Sequence, residues 1–170
     1  MALPAGSTKA SAWSAEVEHA PTIRRASGAD VTVLLALVAE HAAYERLPQR
    51  AGQRSSALAS ALDHEPPQLY AWLAEVDSEV VGYASATRDF STLDAAFYLH
   101  MDCLYVREGW RGHGMGQQLW RTVRDFARAR RCAALQWQTP WWNLDAARFY
   151  RRLGPTEAAK LRYHLSLDDA

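Results

Sequence analysis

The chain has 170 residues, and its 19 Lys and Arg residues balance its 19 Asp and Glu residues. A net charge of zero argues against a protein that binds nucleic acid regardless of sequence, because such a protein needs surplus cations to neutralise phosphates. A hydrophobic content of 49% is enough for one core and excludes a disordered chain. The two cysteines, Cys103 and Cys132, are too few for a disulfide framework, which fits a cytoplasmic protein.

The sequence lacks the features of a membrane or exported protein. No stretch approaches the roughly 20 apolar residues that a membrane span requires, and the first residues lack the charged start and apolar core of a signal peptide. Residues 1–21 are rich in Ala and Ser without a steady period, so we expect a flexible tail there and one domain over 22–170. The six histidines are scattered without a metal-ligand spacing, so no metal is expected.

Hydrophobic periodicity predicts the elements of the domain. In chain order these are a strand over 22–26, helices over 31–44 and 55–63, strands over 69–76, 80–87 and 97–106, a helix over 115–130, a strand over 135–138, a helix over 143–152 and a closing strand over 161–167. A turn at Asp77 and Ser78 makes a hairpin of the second and third strands, and residues 89–95 are expected to form a loop. This order predicts an α/β domain with one mixed sheet of about six strands.

Three glycines at alternate positions follow the long strand, in the segment Arg111-Gly112-His113-Gly114-Met115-Gly116. Glycines let the backbone turn tightly and approach a ligand closely, and the N–H groups at a helix start favour an anion. Arg111 adds a guanidinium that suits phosphate. The segment lacks the Gly-Lys-Ser/Thr of a P-loop, and Gln117 stands where the dinucleotide fingerprint needs its last glycine.

Two motifs resemble those of the GNAT superfamily of N-acetyltransferases. The segment Arg111-x-x-Gly114-x-Gly116 matches the family's Arg/Gln-x-x-Gly-x-Gly/Ala signature, and the segment from Asn143 to Gly154 is similar to its Asn-x-x-Ala-x-x-Phe-Tyr-x-x-x-Gly block. The element order agrees from about residue 22 to residue 167. The resemblance implies a single-domain fold with a mostly antiparallel sheet of six to seven strands, whose splayed central strands bind coenzyme A.

The resemblance also implies acetyl-CoA as the co-substrate. The strand before the glycine loop is then expected to bind the pantetheine arm, the loop to bind the pyrophosphate, and an asparagine further along to contact the arm. The cofactor-binding residues expected on this basis are Leu104, Tyr105, Val106, Arg111, Gly112, His113, Gly114, Met115, Gly116 and Asn143.

Acetyl transfer to an amine requires two proton movements. Deprotonating a lysine-like amine at pH 7 costs roughly 4–5 kcal/mol, whereas the leaving thiolate needs only about 2 kcal/mol. The resemblance makes Tyr150 the candidate acid. Asp102 is the candidate base, because a carboxylate is unusual among the apolar neighbours of its strand. His100 shares a strand face with Asp102 by alternation and is the other candidate, alone or within a water relay.

The expected acceptor is a small primary amine, such as a diamine, a polyamine or an amino acid. Glu45 resembles an acidic residue that gathers the amine in the diamine acetyltransferases, although that branch has Glu-Asp where this chain has Asp102-Cys103. Trp141 is expected to line the acceptor pocket together with His100 and Asp102. We expect direct attack in a ternary complex and a homodimer. The alternatives are a non-catalytic acyl-CoA-binding module and an acetyltransferase of protein lysines or N-termini.

Overall fold

The computed structural model describes residues 21–48 and 54–165, so the predicted tail lies outside the described residues except for Pro21. Its strands and helices, in chain order, are β1 (Thr22–Arg25), α1 (Val31–Tyr44), α2 (Arg54–Asp63), β2 (Tyr70–Val76), β3 (Glu79–Ser91), β4 (Ala96–Val106), α3 (Met115–Ala129), β5 (Leu135–Trp137) and α4 (Leu144–Arg151). The described residues up to Trp137 form one compact unit, and the described residues from Gln138 form a second. None of the described helices is both long enough and apolar enough to cross a membrane.

The predicted α/β domain with a mostly antiparallel sheet is confirmed. The strands follow one another in the order β1-β2-β3-β4-β5, and all neighbours are antiparallel except β4 and β5, which are parallel. The described residues contain five strands rather than the six to seven expected.

The closing strand predicted over 161–167 is absent from residues 161–165, and residues 166 and 167 lie outside the described part. Leu161, Tyr163 and Leu165 alternate as a strand would, but their exposed fractions are 81%, 87% and 82%. Alternation reports a preference for extended backbone, whereas a strand also needs a partner for its N–H and C=O groups. No described strand pairs with this segment.

The hairpins differ in how well their turns were predicted. Asp77 and Ser78 both have positive φ, 48° and 67°, as a two-residue turn between twisted strands requires. The predicted loop over 89–95 was wrong in its first half, because β3 continues to Ser91 and pairs with β4. Phe90 faces Phe97 in this extension, and their rings pack edge to face at 5.0 Å. This cross-strand pair stabilises two strand ends whose other residues are largely polar.

Helices cover both faces of the sheet. On one face α1 and α2 pack through Leu34, Leu37 and Leu62 against Leu73 and Tyr83, all at most 5% exposed. On the other face lies α3, whose apolar residues recur every fourth position and form one buried stripe. That stripe consists of Met115, Leu119, Val123 and Ala127.

Candidate functional site

The site begins where β4 and β5 part. They pair over only three residues, from Leu99 with Leu135 to Met101 with Trp137, while β4 runs on to Val106. No strand of the described chain pairs with that remaining edge of β4. An unpaired strand edge presents backbone groups that an extended ligand can bond. The short pairing of β4 with β5 therefore agrees with the predicted separation of the central strands.

The backbone of β4 directs specific groups into this opening. The N–H of Arg107 donates to the carbonyl of Val81 on β3 at 2.9 Å. Because antiparallel pairs alternate, the backbone groups of Val106 and Leu104 point away from β3. Tyr105, between them, turns its ring into the core beneath α1 and is 9% exposed. The two predicted pantetheine-binding backbones thus lie on the open edge.

The glycine loop follows directly and ends at the start of α3. Gly112 and Gly114 have φ angles of 82° and 85°, a left-handed backbone that favours glycine. Gly114 is the N-cap of α3, and its carbonyl accepts from the N–H of Gln118 at 3.0 Å. The first N–H groups of the helix, Gly116 included, therefore have no intrahelical acceptor. Met115 is 4% exposed and anchors the helix start in the core.

The space in front of the loop is open. A Cβ added at Gly112 or at Gly114 would meet no heavy atom within 4 Å. The backbone conformation, rather than crowding, therefore explains these glycines. His113, between them, is exposed.

Arg111 ties the loop to α1. Its Nε donates to the carbonyl of Val106 at 2.8 Å, and its guanidinium lies 4.4 Å from the ring centre of Tyr44 and 5.6 Å from that of Tyr105. No carboxylate in residues 21–48 or 54–165 forms an ion pair with Arg111. A positioned guanidinium beside free helix N–H groups suits a phosphate ligand.

Arg107 fixes the end of β4 against α1. It bonds both carboxylate oxygens of Glu40 at 2.8–3.2 Å, and it bonds Glu79 at 3.0 Å. These carboxylates, Glu40 first, raise the pKa of Arg107 above its usual range. No local pattern predicts these ion pairs, because Glu40 and Glu79 lie 67 and 28 residues from Arg107 in the chain.

Asp102 occupies a bulge in β4. Cys103 pairs with Ser85 and Met101 pairs with Ala86, so Asp102 is left without a partner on β3. A bulge redirects side chains and is frequent beside active sites. Here it lets the thiol of Cys103 donate to the carboxylate of Asp102, with Sγ 3.5 Å from Oδ2, whereas a regular strand places neighbouring residues on opposite faces. Asp102 is exposed and His100 is half-buried.

A line of side chains connects Asp102 with Glu45. The thiol of Cys103 donates to Asp102, and Cys103 and Tyr83 are close enough for each to shift the pKa of the other. The hydroxyl of Tyr83 lies 3.0 Å from Nδ1 of His41, and Nε2 of His41 lies 3.5 Å from a carboxylate oxygen of Glu45. The two acidic residues predicted to face the acceptor are thus linked through a tyrosine that is 1% exposed.

Burial sets the protonation state of this line. It raises the pKa of the Cys103 thiol to about 12, with the charge of Asp102 as the next cause. It also raises the pKa of Tyr83 far above its usual value, and Cys103, Asp102 and Glu45 add to the effect. Neither group ionises near neutral pH, so Cys103 is not a nucleophile there.

Three predicted residues lie in the unit that begins at Gln138. Asn143 is 6% exposed and caps α4, because its side chain accepts from the N–H of Ala146 at 3.1 Å. Tyr150 lies on α4, half-buried, with its ring 5.1 Å from that of Phe149. Trp141 is 90% exposed. The roles expected of Asn143, Trp141 and Tyr150 stay predictions.

Sequence reasoning missed the residues that join these parts. His41, Tyr83 and Cys103 were not expected at the site, and only the spacing of four between His41 and Glu45 on one helix could have indicated a pair. Within the described ranges, no group of three or more His, Cys, Asp or Glu side chains could hold a metal ion.

Comparisons with known proteins point to one family. A family model described as the acetyltransferase (GNAT) family matches residues 35–154. The thialysine N-epsilon-acetyltransferase of Bos taurus is 29% identical over 140 residues, which cover 78% of this chain and 82% of that protein. The corresponding protein of Caenorhabditis elegans is 26% identical over 117 residues, which cover 69% and 71%.

Solved structures agree in fold. An aminoglycoside acetyltransferase from an uncultured soil metagenomic sample, in complex with sisomicin, has a TM-score of 0.77 at 18% identity, over 90% of this chain and 100% of its own. AAC(6')-Iy in complex with the bisubstrate analogue CoA-S-monomethyl-acetylneamine has a TM-score of 0.73 at 17% identity, over 87% of this chain and 99% of its own. At these identities the likeness concerns the fold alone.

Proposed function

The chain belongs to the acetyltransferase (GNAT) family and is an N-acetyltransferase, and on this premise we propose that it acetylates the primary amine of a small cationic molecule. The observation that carries the proposal is the open edge of β4 between two opposite charge environments. Arg111 and the N–H groups at the start of α3 lie at its far end. Asp102 lies on the same strand and Glu45 at the end of α1.

The first environment fits acetyl-CoA, which supplies an acetyl thioester. We propose that Leu104 and Val106 bond the amide-containing arm through their backbone, as an added strand would. The loop from Arg111 to Gly116 would bind the pyrophosphate through the first N–H groups of α3 and through the terminal nitrogens of Arg111, whose Nε already donates to Val106. Asn143 is proposed, on the resemblance alone, to contact the arm.

The second environment fits a cationic acceptor. Asp102 is exposed and Glu45 is partly buried, and within the described chain no Arg or Lys side chain forms an ion pair with either carboxylate. Two such carboxylates attract an ammonium group. Relatives of this chain carry the name thialysine N-epsilon-acetyltransferase, so we propose a lysine-like amine as the acceptor class. His100 and Trp141 are proposed as further acceptor-side residues.

The proposed reaction is a direct attack in a ternary complex. Asp102 accepts the first proton of the ammonium group. The amine nitrogen then bonds the acetyl carbon, the carbon–sulfur bond breaks, and the nitrogen releases its second proton to solvent as the amide forms. Tyr150 donates a proton to the departing thiolate and regains one from solvent. The base matters more than the acid, because deprotonating the amine at pH 7 costs roughly 4–5 kcal/mol, whereas forming the thiolate costs only about 2 kcal/mol.

The test is a panel of amines assayed for release of free coenzyme A. The panel holds thialysine, lysine, a diamine, a polyamine, an aminoglycoside and a lysine-containing peptide, with Nε-acetyl-lysine as the control that lacks the free side-chain amine. We expect the fastest release with lysine-like amines and diamines, and intersecting initial-rate lines when both substrates are varied. Faster release with the peptide, or no release with any amine, would contradict the proposal.

We also propose a cytoplasmic homodimer. The two cysteines are free thiols, and large apolar side chains such as Leu93 and Trp141 are 97% and 90% exposed. Exposed apolar side chains are candidates for a contact between copies. Light scattering of the full chain should give twice the mass of the monomer, and a monomer mass at micromolar concentration would exclude the dimer.

A further inference from the structure

A groove of about 510 Å³ lies on the unit up to Trp137, at the end of α3 opposite the glycine loop. Its walls come from β1, β2, the end of α2 and the end of α3, where Arg130 follows the last helical residue. Because α3 has 15 residues at about 1.5 Å each, roughly 20 Å of helix separate the groove from the loop. The volume is in the range of small-molecule sites, about 300–1,000 Å³.

Two arginines, Arg25 and Arg130, stack on the same aromatic side chains in this groove. The guanidinium of Arg25 lies 4.4 Å from the ring centre of Tyr70, 5.0 Å from that of Trp72 and 5.5 Å from that of Phe126. The guanidinium of Arg130 lies 5.7 Å from Tyr70 and 5.1 Å from Phe126. Both cations therefore sit over the same two rings, which brings two like charges together.

Neither arginine has a carboxylate partner in the described chain. Arg24, the neighbour of Arg25, pairs with both Asp30 and Glu75, whereas Arg25 and Arg130 make ring contacts and no ion pair with any residue that the structure describes. Asp63 also lines the groove, but its carboxylate accepts the backbone N–H of Gly28 at 2.7 Å.

The electrostatics of the pair favour an added anion. Burial lowers the pKa of Arg25, Tyr70 partly opposes this effect, and the charge of Arg130 adds to the lowering. A stacked guanidinium keeps its N–H edges available, and those edges match the oxygens of carboxylates and phosphates. The rings below exclude water and strengthen such bonds. Leu62 and Pro67 add apolar walls beside the charges.

We propose that this groove binds a small organic anion. Its carboxylate or phosphate group bonds Arg25 and Arg130, and its apolar body packs against Leu62, Pro67 and Phe126. The site is separate from the proposed acetyl-CoA site, because all of its residues lie away from the open edge of β4 and the glycine loop.

The test is calorimetric titration of the full chain with benzoate and with phenyl phosphate, which distinguish a carboxylate from a phosphate ligand. Benzyl alcohol and benzylamine serve as neutral and cationic controls. We expect saturable binding of at least one anion, with a Kd of about a millimolar or tighter, and no saturation with either control. Arg25→Met and Arg130→Met keep the unbranched stem and should each weaken binding at least about tenfold.

Two matched variants locate the site. Arg128→Met removes the same charge from an exposed position on the same helix and should leave the affinity unchanged. Arg111→Met removes the cation of the glycine loop, where an anion could also bind, and should also leave it unchanged. Acetyl-CoA is absent from these titrations, so no acetyl transfer takes place and failure here does not bear on the proposed function.

Three outcomes would overturn the proposal. These are the absence of saturable anion binding, equal weakening by Arg128→Met, and loss of binding in Arg111→Met with full binding in Arg25→Met. If Arg25→Met lowers the thermal midpoint, Arg130→Met decides alone, since Arg130 is exposed at a helix end and tolerates replacement.

Discussion

Replacing Gly114 with alanine tests whether the loop's backbone conformation holds acetyl-CoA. The added Cβ would meet nothing within 4 Å, so the variant has no clash to relieve. The whole effect comes from φ of 85°, which puts Gly114 in the left-handed region. A residue with a Cβ costs about 1–2 kcal/mol there.

The conformational strain of about 1–2 kcal/mol lowers either the stability of the folded state or the affinity for acetyl-CoA. If the loop keeps its shape, the folded state loses about 1–2 kcal/mol, or about 2–8 °C in Tm for a chain of this size. If the loop relaxes, the first N–H groups of α3 no longer converge, and the KM for acetyl-CoA rises about 5- to 30-fold. The assay is the initial rate at saturating amine with acetyl-CoA varied, together with a thermal melt of the same samples.

Gly109→Ala is the matched control. Gly109 also has open space within 4 Å of an added Cβ, but its φ is not positive. We expect little change in either KM or Tm for this variant. An unchanged KM and Tm in Gly114→Ala would contradict this expectation, and so would an equal rise of the KM in the two alanine variants.

Three further predictions concern the chemistry. Tyr150→Phe should lower kcat about 30-fold, which corresponds to the roughly 2 kcal/mol needed to protonate the thiolate, and should leave the KM for acetyl-CoA unchanged. The control Tyr163→Phe removes a hydroxyl from an exposed ring and should change neither kcat nor KM. Asp102→Asn should lower kcat/KM at least about 100-fold near pH 7. The loss should be smaller towards pH 10, because the amine then deprotonates without a base, and the control Asp94→Asn should have no effect. A loss of kcat/KM that does not depend on pH would assign Asp102 to binding alone. Because the thiolate of Cys103 forms only above a pKa of about 12, alkylation of that thiol in the native protein, followed by mass spectrometry, should rise about tenfold per pH unit across the alkaline range; a plateau near pH 9 would contradict this.

Local patterns predicted the elements of the fold because their causes are local. The spacing of Leu119 and Val123 predicts α3, and both side chains are fully buried. The extension of β3 past residue 87 could not be predicted in this way, since it depends on Phe90 meeting Phe97 across the sheet. The strand predicted over 161–165 is not formed, although its apolar residues alternate clearly. No strand of the described chain pairs with this segment.

The site divides along the same line. Gly112 and Gly114 allowed the loop to be predicted, because their positive φ favours glycine and glycine is visible in the sequence. The bulge at Asp102 left no such mark, since it arises from a register shift between two strands. Tyr83 and His41 are 42 residues apart, so their hydrogen bond is invisible to any local pattern. The sequence therefore indicated the glycine loop better than the bulge at Asp102 and the side chains behind it.

The line from Glu45 to Asp102 bears on how those carboxylates act. Tyr83, in the middle of the line, has a pKa raised far above its usual value, first by burial and in part by both carboxylates. Its hydroxyl therefore stays neutral near pH 7, and it holds the position of His41 through their hydrogen bond. On the proposed function, the acceptor meets two separate acidic residues, Glu45 at the end of α1 and Asp102 on β4. We therefore propose that an acceptor with a second cationic group, such as a diamine or a lysine-like amine, reacts faster than a monoamine.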